Sequence, residues 1–93
     1  MEVKKFIVLM IYDIVDNKRR NKMVKCLETY GVRVQKSAFE ALLTRKQYDK
    51  MLRESSALID EAVDSLRVYV LDDIIDVYTW GVGERKESDC IIL

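Results

Sequence analysis

Histidine and proline are absent from this chain of 93 residues, and it holds only three glycines and two cysteines. Without histidine, no imidazole is available as a general base, as the partner of a serine or cysteine nucleophile, or as a metal ligand. Cys26 and Cys90 are too few and too far apart in sequence for a zinc site or a disulfide framework. We therefore expect a buried, reduced thiol at Cys26, in keeping with a reducing cytoplasm.

Long apolar runs are also missing. The longest is Phe6–Tyr12, far below the roughly 20 residues that a helix needs to cross a bilayer. The region after Met1 has no apolar signal core followed by a small-residue cleavage site. We expect a soluble, cytoplasmic protein without a membrane partner.

Positive and negative residues occupy different parts of the chain, although their charges cancel. Residues 17–36 hold seven Lys or Arg and one Glu, whereas residues 54–76 hold seven Asp or Glu and one Arg. A charged partner responds to the local field rather than to the total charge. The basic region therefore keeps nucleic acid among the candidate ligands, with ordinary solvated helix faces as the alternative.

Apolar periodicity predicts one domain over residues 1–93, with a core at about 3–81 and a tail with a strand at 82–93. Phe6–Tyr12 is β-branched, aromatic and too short for a helix, which is typical of a central strand. Asp16 or Asn17 begins a helix that reaches about Tyr30, and we expect Gly31 to end it in a left-handed conformation. The remaining elements are an extended segment of one or two strands at Val32–Leu43, a helix at Arg45–Val63 capped by Thr44, strands at Leu66–Leu71, Val77–Trp80 and Cys90–Leu93, and a turn at Asp72–Asp76.

This order of elements favours a two-layer α+β sandwich with both helices on one face of the sheet. The opposite face also needs cover, because Phe6–Tyr12 is apolar on both sides. A second copy of the chain is the simplest cover, so we predict a face-to-face homodimer. The predicted inward residues of the two helices are Met23, Leu27 and Tyr30, and Tyr48, Met51, Leu52, Ile59 and Val63.

The first predicted helix begins with bases, where helix geometry favours acids. The partial positive charge of a helix N-terminus disfavours each nearby cation by about 0.3–1 kcal/mol. Such conflicts between local preference and sequence often mark functional sites. The residues predicted to bind a phosphate backbone are Lys18, Arg19, Arg20, Lys22, Arg33 and Lys36.

Asp13 follows the apolar run directly. A carboxylate at a strand end is most often a turn or capping residue, but Asp16 and Asn17 are better placed for that role here. Magnesium is usually held by one or two carboxylates together with waters and phosphate oxygens. We therefore predict an Mg²⁺ or other divalent cation shared by Asp13 of two subunits, where it would offset charge on a phosphodiester.

These residues resemble the Cas-two (Cas2) family of small CRISPR-associated spacer-acquisition proteins over nearly the whole chain. The most specific part is the string Tyr-Gly-x-Arg-Val-Gln-x-Ser-x-Phe-Glu that begins at Tyr30. Val70 departs from the family, because proline is common there, so the strand that holds it is expected to end later. The other matching segments are Tyr12-Asp13-Ile14, Lys18-Arg19-Arg20, Leu27 and Asp64-Ser65-Leu66-Arg67-Val68-Tyr69.

The resemblance implies a ferredoxin-like βαββαβ fold with an extra C-terminal strand, two strands within Val32–Leu43, and a homodimer whose Asp13 residues face each other. It also implies an integrase partner of the Cas-one family, prespacer DNA held between integrase dimers, and metal-dependent endonuclease activity on single-stranded RNA or double-stranded DNA in some members. From the residues alone, a non-catalytic adaptor, a toxin-like RNase and a metabolite-binding regulatory domain stay open. The positions that the resemblance places around the metal are Asp13, Tyr12, Arg20, Arg33, Ser37 and Phe39.

Overall fold

The computed structural model describes residues 4–71, which form four strands and two helices in the order βαββαβ. Neither of these helices is long and apolar enough to span a membrane. The predicted turn at Asp72–Asp76 and the strands at Val77–Trp80 and Cys90–Leu93 lie outside the described residues. The elements are β1 (Lys5–Asp13), α1 (Asn17–Glu28), β2 (Val32–Gln35), β3 (Ala38–Thr44), α2 (Arg45–Ser56) and β4 (Ser65–Leu71).

The four strands form one sheet in the order β2-β3-β1-β4, and every neighbouring pair is antiparallel. Two βαβ units therefore interleave, which is the ferredoxin-like arrangement that the family resemblance implied. The central strand β1 pairs with β3 from Lys5 to Ile11 and with β4 from Ile7 to Asp13. Asp13 consequently ends β1 opposite Ser65, the first residue of β4.

The extended segment at Val32–Leu43 forms two strands, β2 and β3, as the family resemblance implied. Lys36 and Ser37 form the turn between them, and the pairing of β2 with β3 shifts register between Arg33 and Gln35. This irregularity lies beside the turn, where the two strands meet the end of β1. Likewise β4 continues past Val70 to Leu71, which agrees with the later end expected for a strand without proline.

Both helices pack on one face of the sheet, where alternate residues of β1 and β3 meet them. Met23 and Leu27 of α1 and Met51 of α2 are fully buried, as the predicted stripes required. Tyr30, Tyr48 and Leu52 pack against them and are partly buried. The sheet residues of this core are Val8, Met10, Tyr12, Phe39, Ala41 and Leu43, each at most 3% exposed.

The predicted start of α1 is confirmed at Asp16, but its predicted end is wrong. The Asp16 carboxylate accepts a hydrogen bond from the Arg19 N–H, and the helix ends at Glu28 rather than Tyr30. Gly31 is not in the left-handed region. Glycine is needed at this position for space instead, because a Cβ there would overlap the Glu40 carbonyl oxygen and lie 2.8 Å from Ala41 Cβ.

The second helix is shorter than predicted. It begins with a capping box between Thr44 and Gln47, as expected for a Thr44 cap, but it ends at Ser56 instead of Val63. In the following loop, Asp60 accepts a hydrogen bond from the Ala62 N–H, the kind of local side-chain bond that competes with a helix. Val63 is therefore 54% exposed rather than inward, whereas Ile59 still packs against the core.

Candidate nucleic-acid and metal site

A cleft of about 380 Å³ lies where the end of β1 meets the β2–β3 turn and the start of α1. Six of the residues predicted to act on nucleic acid or metal contribute to its walls, although they come from β1, α1, β2 and the β2–β3 turn. Chain folding therefore brings together most of the site that the sequence suggested. The lining residues are Tyr12, Asp13, Ile14, Arg20, Arg33, Lys36 and Ser37.

One wall of the cleft is the turn at Lys36 and Ser37, which hydrogen bonds tie to β1. The Tyr12 hydroxyl donates to the Lys36 carbonyl oxygen at 3.2 Å, and the Tyr12 N–H donates to the Ser37 carbonyl oxygen at 3.1 Å. Arg33 adds two bonds to the same Lys36 oxygen, from Nε at 3.1 Å and from Nη2 at 2.6 Å. Tyr12 is thus fixed in the wall, and two hydrogen bonds hold the Arg33 guanidinium against the Lys36 carbonyl oxygen, in the cleft that Asp13 also lines.

The opposite wall is built by Arg20 from the first turns of α1. Its Nε and Nη2 donate to the Ile14 carbonyl oxygen at 3.1 and 2.8 Å, and Nη1 donates to the Asn17 side-chain oxygen. Arg20 therefore clamps the residue that follows Asp13. A guanidinium fixed in this way presents its charge to the cleft without a large further loss of side-chain entropy.

Asp13 is exposed at the mouth of this cleft. A single carboxylate with open space around it suits a hard divalent cation that keeps most of its ligands as water or phosphate oxygens. Within residues 4–71, no group of three or more Asp, Glu or Cys side chains is arranged to enclose a metal. The donor set of one chain would therefore fit only a partial magnesium site, in which Asp13 would be the protein ligand.

Arg19 has a protein partner that the sequence did not indicate. Its Nε and Nη2 donate to the two carboxylate oxygens of Asp64 at 2.8 and 3.2 Å, and the Asp64 side chain is fully buried. The hydrogen bond from Arg19 and two backbone N–H bonds hold the pKa of Asp64 well below its usual range, against the opposing effect of burial. The sequence singles out Asp64 only as the first residue of the segment Asp64-Ser65-Leu66, which matches the family; it does not indicate that Asp64 pairs with Arg19.

The other predicted site residues lie away from the cleft walls. Phe39 is fully buried beneath the site, with its ring centroid 6.3 Å from that of Tyr12, so it supports Tyr12 and is not at the surface. Lys18 and Lys22 are exposed on α1 and do not line the cleft. Of the predicted phosphate-binding cations, Arg20, Arg33 and Lys36 meet at the cleft, while Arg19 is engaged by Asp64.

Comparison with known proteins identifies relatives of this chain. The family model described as CRISPR associated protein Cas2 matches residues 6–75. A protein of Rhodospirillum rubrum named CRISPR-associated endoribonuclease Cas2 4 is 48% identical over 86% of this chain, which spans 64% of that relative's length. A Mycobacterium tuberculosis protein named CRISPR-associated endoribonuclease Cas2 is 40% identical over 94% of the chain and 76% of the relative.

Solved structures show the same architecture. The crystal structure of a hypothetical protein from Thermus thermophilus matches with a TM-score of 0.75 at 36% identity. The match covers 86% of this chain and 95% of that chain. The crystal structure of Streptococcus pyogenes Cas2 matches with a TM-score of 0.65 at 34% identity. The match covers 70% of this chain and 84% of that chain. Sequence and structure therefore agree that the chain belongs to the Cas2 family of CRISPR-associated proteins.

Proposed function

We propose that the chain acts in CRISPR spacer acquisition as a homodimer that binds nucleic acid in the cytoplasm and cleaves phosphodiester bonds with the help of a divalent cation. The observation that carries the proposal is the cleft in which exposed Asp13 meets the cations Arg20, Arg33 and Lys36. A carboxylate beside fixed guanidinium groups suits the binding of both a metal and a phosphate. Relatives are named endoribonuclease or endonuclease, which supports a nuclease function with RNA as one substrate.

Arg20 and Arg33 would bind the phosphate of the substrate. Each is already oriented by hydrogen bonds to a main-chain carbonyl oxygen, at Ile14 and at Lys36 respectively. Contacts of this kind position a nucleic-acid backbone without reading its bases. Ser37 lines the same wall and would contact the sugar or phosphate.

Asp13 would hold Mg²⁺ together with Asp13 of a second copy. Because Asp13 lies at the open end of β1, a two-fold axis near this end of the sheet would bring the two carboxylates together. The bound cation would offset negative charge that develops on the phosphodiester. The protein residues would hold the phosphate in place while this charge develops.

The face of the sheet opposite the helices supports the proposed dimer. Strand pairing places Leu9 and Ile11 of β1, Leu42 of β3 and Tyr69 of β4 on this face. Ile11 is 38% and Tyr69 44% exposed, so this face exposes large apolar side chains, which mark an interface when they form a contiguous patch. A second copy of the chain would bury them.

The direct test of nuclease function compares wild type with Asp13→Asn on labelled single-stranded RNA and on duplex DNA, with and without Mg²⁺. We expect the substitution to remove metal-stimulated cleavage and to leave the folded dimer intact. Asp49→Asn is the matched control, since Asp49 is exposed on α2 and pairs with Arg45 away from the cleft. Equal cleavage by Asp13→Asn and wild type after repurification would defeat the nuclease proposal.

A second candidate function is a non-catalytic adaptor that holds prespacer DNA and bridges the Cas-one integrase. Lys18 and Lys22 favour it, because they add positive charge on α1 outside the cleft. The double variant Lys18→Glu/Lys22→Glu should flatten the plot of log K against log salt for duplex DNA by about two units. Lys46→Glu/Lys50→Glu, with the same spacing on α2, controls for total charge.

These two roles are compatible, and integration assays separate them. If the adaptor role alone operates, Asp13→Asn supports integration with the purified integrase as well as wild type does, whereas the lysine variant does not. An unchanged salt dependence in the lysine variant would remove α1 as the DNA contact. A toxin-like RNase of the same fold would instead cleave RNA and form no complex with the integrase.

A further inference from the structure

Asp64 accepts four hydrogen bonds although its side chain is buried. Two come from Arg19, one from the Val15 N–H at 3.1 Å, and one from the Asp60 N–H at 2.9 Å. A buried carboxylate is expensive unless charge and hydrogen bonds compensate it. Together these four donors favour the ionised form of Asp64, and one of them, the Val15 N–H, lies two residues after Asp13.

The loop after Asp13 is held at three consecutive residues. Arg20 donates to the Ile14 carbonyl oxygen, Asp64 accepts from the Val15 N–H, and the Asp16 carboxylate accepts from the Arg19 N–H. Only the contact at Val15 comes from outside the β1–α1 region, since Asp64 is 49 residues away in sequence. Asp64 thus fixes this loop to the start of β4, whose first residue Ser65 pairs with Asp13 itself.

We propose that Asp64 is a positioning residue, which sets the direction of the Asp13 carboxylate through its bond to the Val15 N–H and recruits Arg19 to secure that bond. This inference rests on the proposed metal-dependent nuclease function. It assigns Arg19 to the support of the site and not to the substrate. Among the cations at the start of α1, Arg20 then faces the cleft and Arg19 braces the loop behind it.

The geometry separates this role from simple stabilisation of the fold. Asp64 contacts the loop that follows Asp13. The Tyr30 hydroxyl instead donates to the Glu54 carboxylate and joins the segment after α1 to α2, away from the cleft. Tyr30→Phe therefore removes a tertiary hydrogen bond without touching the loop. It is the matched control for Asp64→Asn, in which the amide nitrogen would face donors that require an acceptor.

The test measures Mg²⁺-dependent cleavage of a fluorescent single-stranded RNA and a duplex DNA by full-length wild type, Asp64→Asn, Arg19→Gln and Tyr30→Phe. Groups that orient a metal ligand typically contribute about 10- to 100-fold in metal affinity or activity. We expect a loss of that size in kcat for Asp64→Asn, a higher Mg²⁺ requirement and a nearly unchanged KM for the nucleic acid. Arg19→Gln should lose less, because Asp64 can still accept from Val15, and Tyr30→Phe should retain wild-type kinetics.

A second measurement does not depend on activity. Amide hydrogen exchange of Val15, followed by NMR, should be faster in Asp64→Asn than in wild type or Tyr30→Phe, while amides of the β1–β3 ladder keep their protection. If Val15 exchanges equally slowly in Asp64→Asn, or if Tyr30→Phe loses kcat to the same extent, the positioning role is wrong. If wild type shows no metal-dependent cleavage but Val15 exchange rises as expected, the nuclease proposal fails while the bracing of the loop stands.

Discussion

At the scale of single residues, the unusual row of bases at the start of α1 divides into different roles. Arg19 pairs with Asp64, Arg20 clamps the Ile14 carbonyl and faces the cleft, and Lys18 and Lys22 stay exposed. The sequence predicts a functional region here, because these bases oppose the helix dipole, and Arg20 does line the cleft. The sequence cannot indicate which base takes which role, because Asp64 lies 45 residues away from Arg19 and only the fold brings them together.

The low pKa of Asp64 predicts how stability depends on acid. Because the pKa is lower in the folded chain than in the unfolded chain, the carboxylate stabilises the fold fully above the ordinary value of about 3.9. That contribution is lost as the pH falls below this value, since the folded state then takes up the proton less readily than the unfolded one. The free energy difference between wild type and Asp64→Asn should therefore be constant near neutral pH and shrink toward pH 3.

Urea unfolding at a series of pH values measures this difference. Asp49→Asn is again a suitable control, since it removes an exposed carboxylate of α2. A difference between wild type and Asp64→Asn that is the same at pH 3 and pH 7 would show that the ionised form of Asp64 is not preferred in the folded state.

At the scale of helices and strands, local signals identify most elements and place their starts well. The Asp16 cap, the Thr44 cap and the buried positions Met23, Leu27 and Met51 all follow from sequence patterns. The ends of the helices do not follow from such patterns. They depend on tertiary requirements: the close packing of Gly31 on β3, and the loop from residue 57 to 64 that carries Asp64 back to the sheet.

A substitution at Gly31 tests whether its close packing on β3 is required, as the explanation for the end of α1 assumes. In Gly31→Ala the new methyl group would overlap the Glu40 carbonyl oxygen and crowd Ala41, so β3 or the α1–β2 connection must shift. Overpacking of this kind typically destabilises a fold by about 1–3 kcal/mol. We expect a loss of that size in urea unfolding.

The exposed α1 substitution Lys25→Ala is the comparison for Gly31→Ala, because surface changes are usually within about 0.5 kcal/mol of wild type. Equal stability of Gly31→Ala and Lys25→Ala would mean that the glycine is not required for space.

At the scale of the whole molecule, one chain supplies only half of the proposed metal site. Asp13, Arg20, Arg33 and Ser37, which the family resemblance grouped around the metal, line one cleft. Lys36, which the charge pattern predicted to bind phosphate, lines it too, so this part of the site could be anticipated from the sequence. The resemblance also places Phe39 around the metal, but Phe39 is buried below Tyr12 and does not line the cleft. The dimer itself stays a prediction, supported by the apolar face at Leu9, Ile11 and Tyr69.

The most direct test of a shared metal is a mixing experiment. Wild type and Asp13→Asn are unfolded in urea, combined in varied ratios and refolded together, and Mg²⁺-dependent cleavage is measured at constant total protein. If two Asp13 residues hold one cation, mixed dimers are inactive and the activity follows the square of the wild-type fraction. A linear dependence on the wild-type fraction would contradict the shared site, because each subunit would then act with its own Asp13 alone.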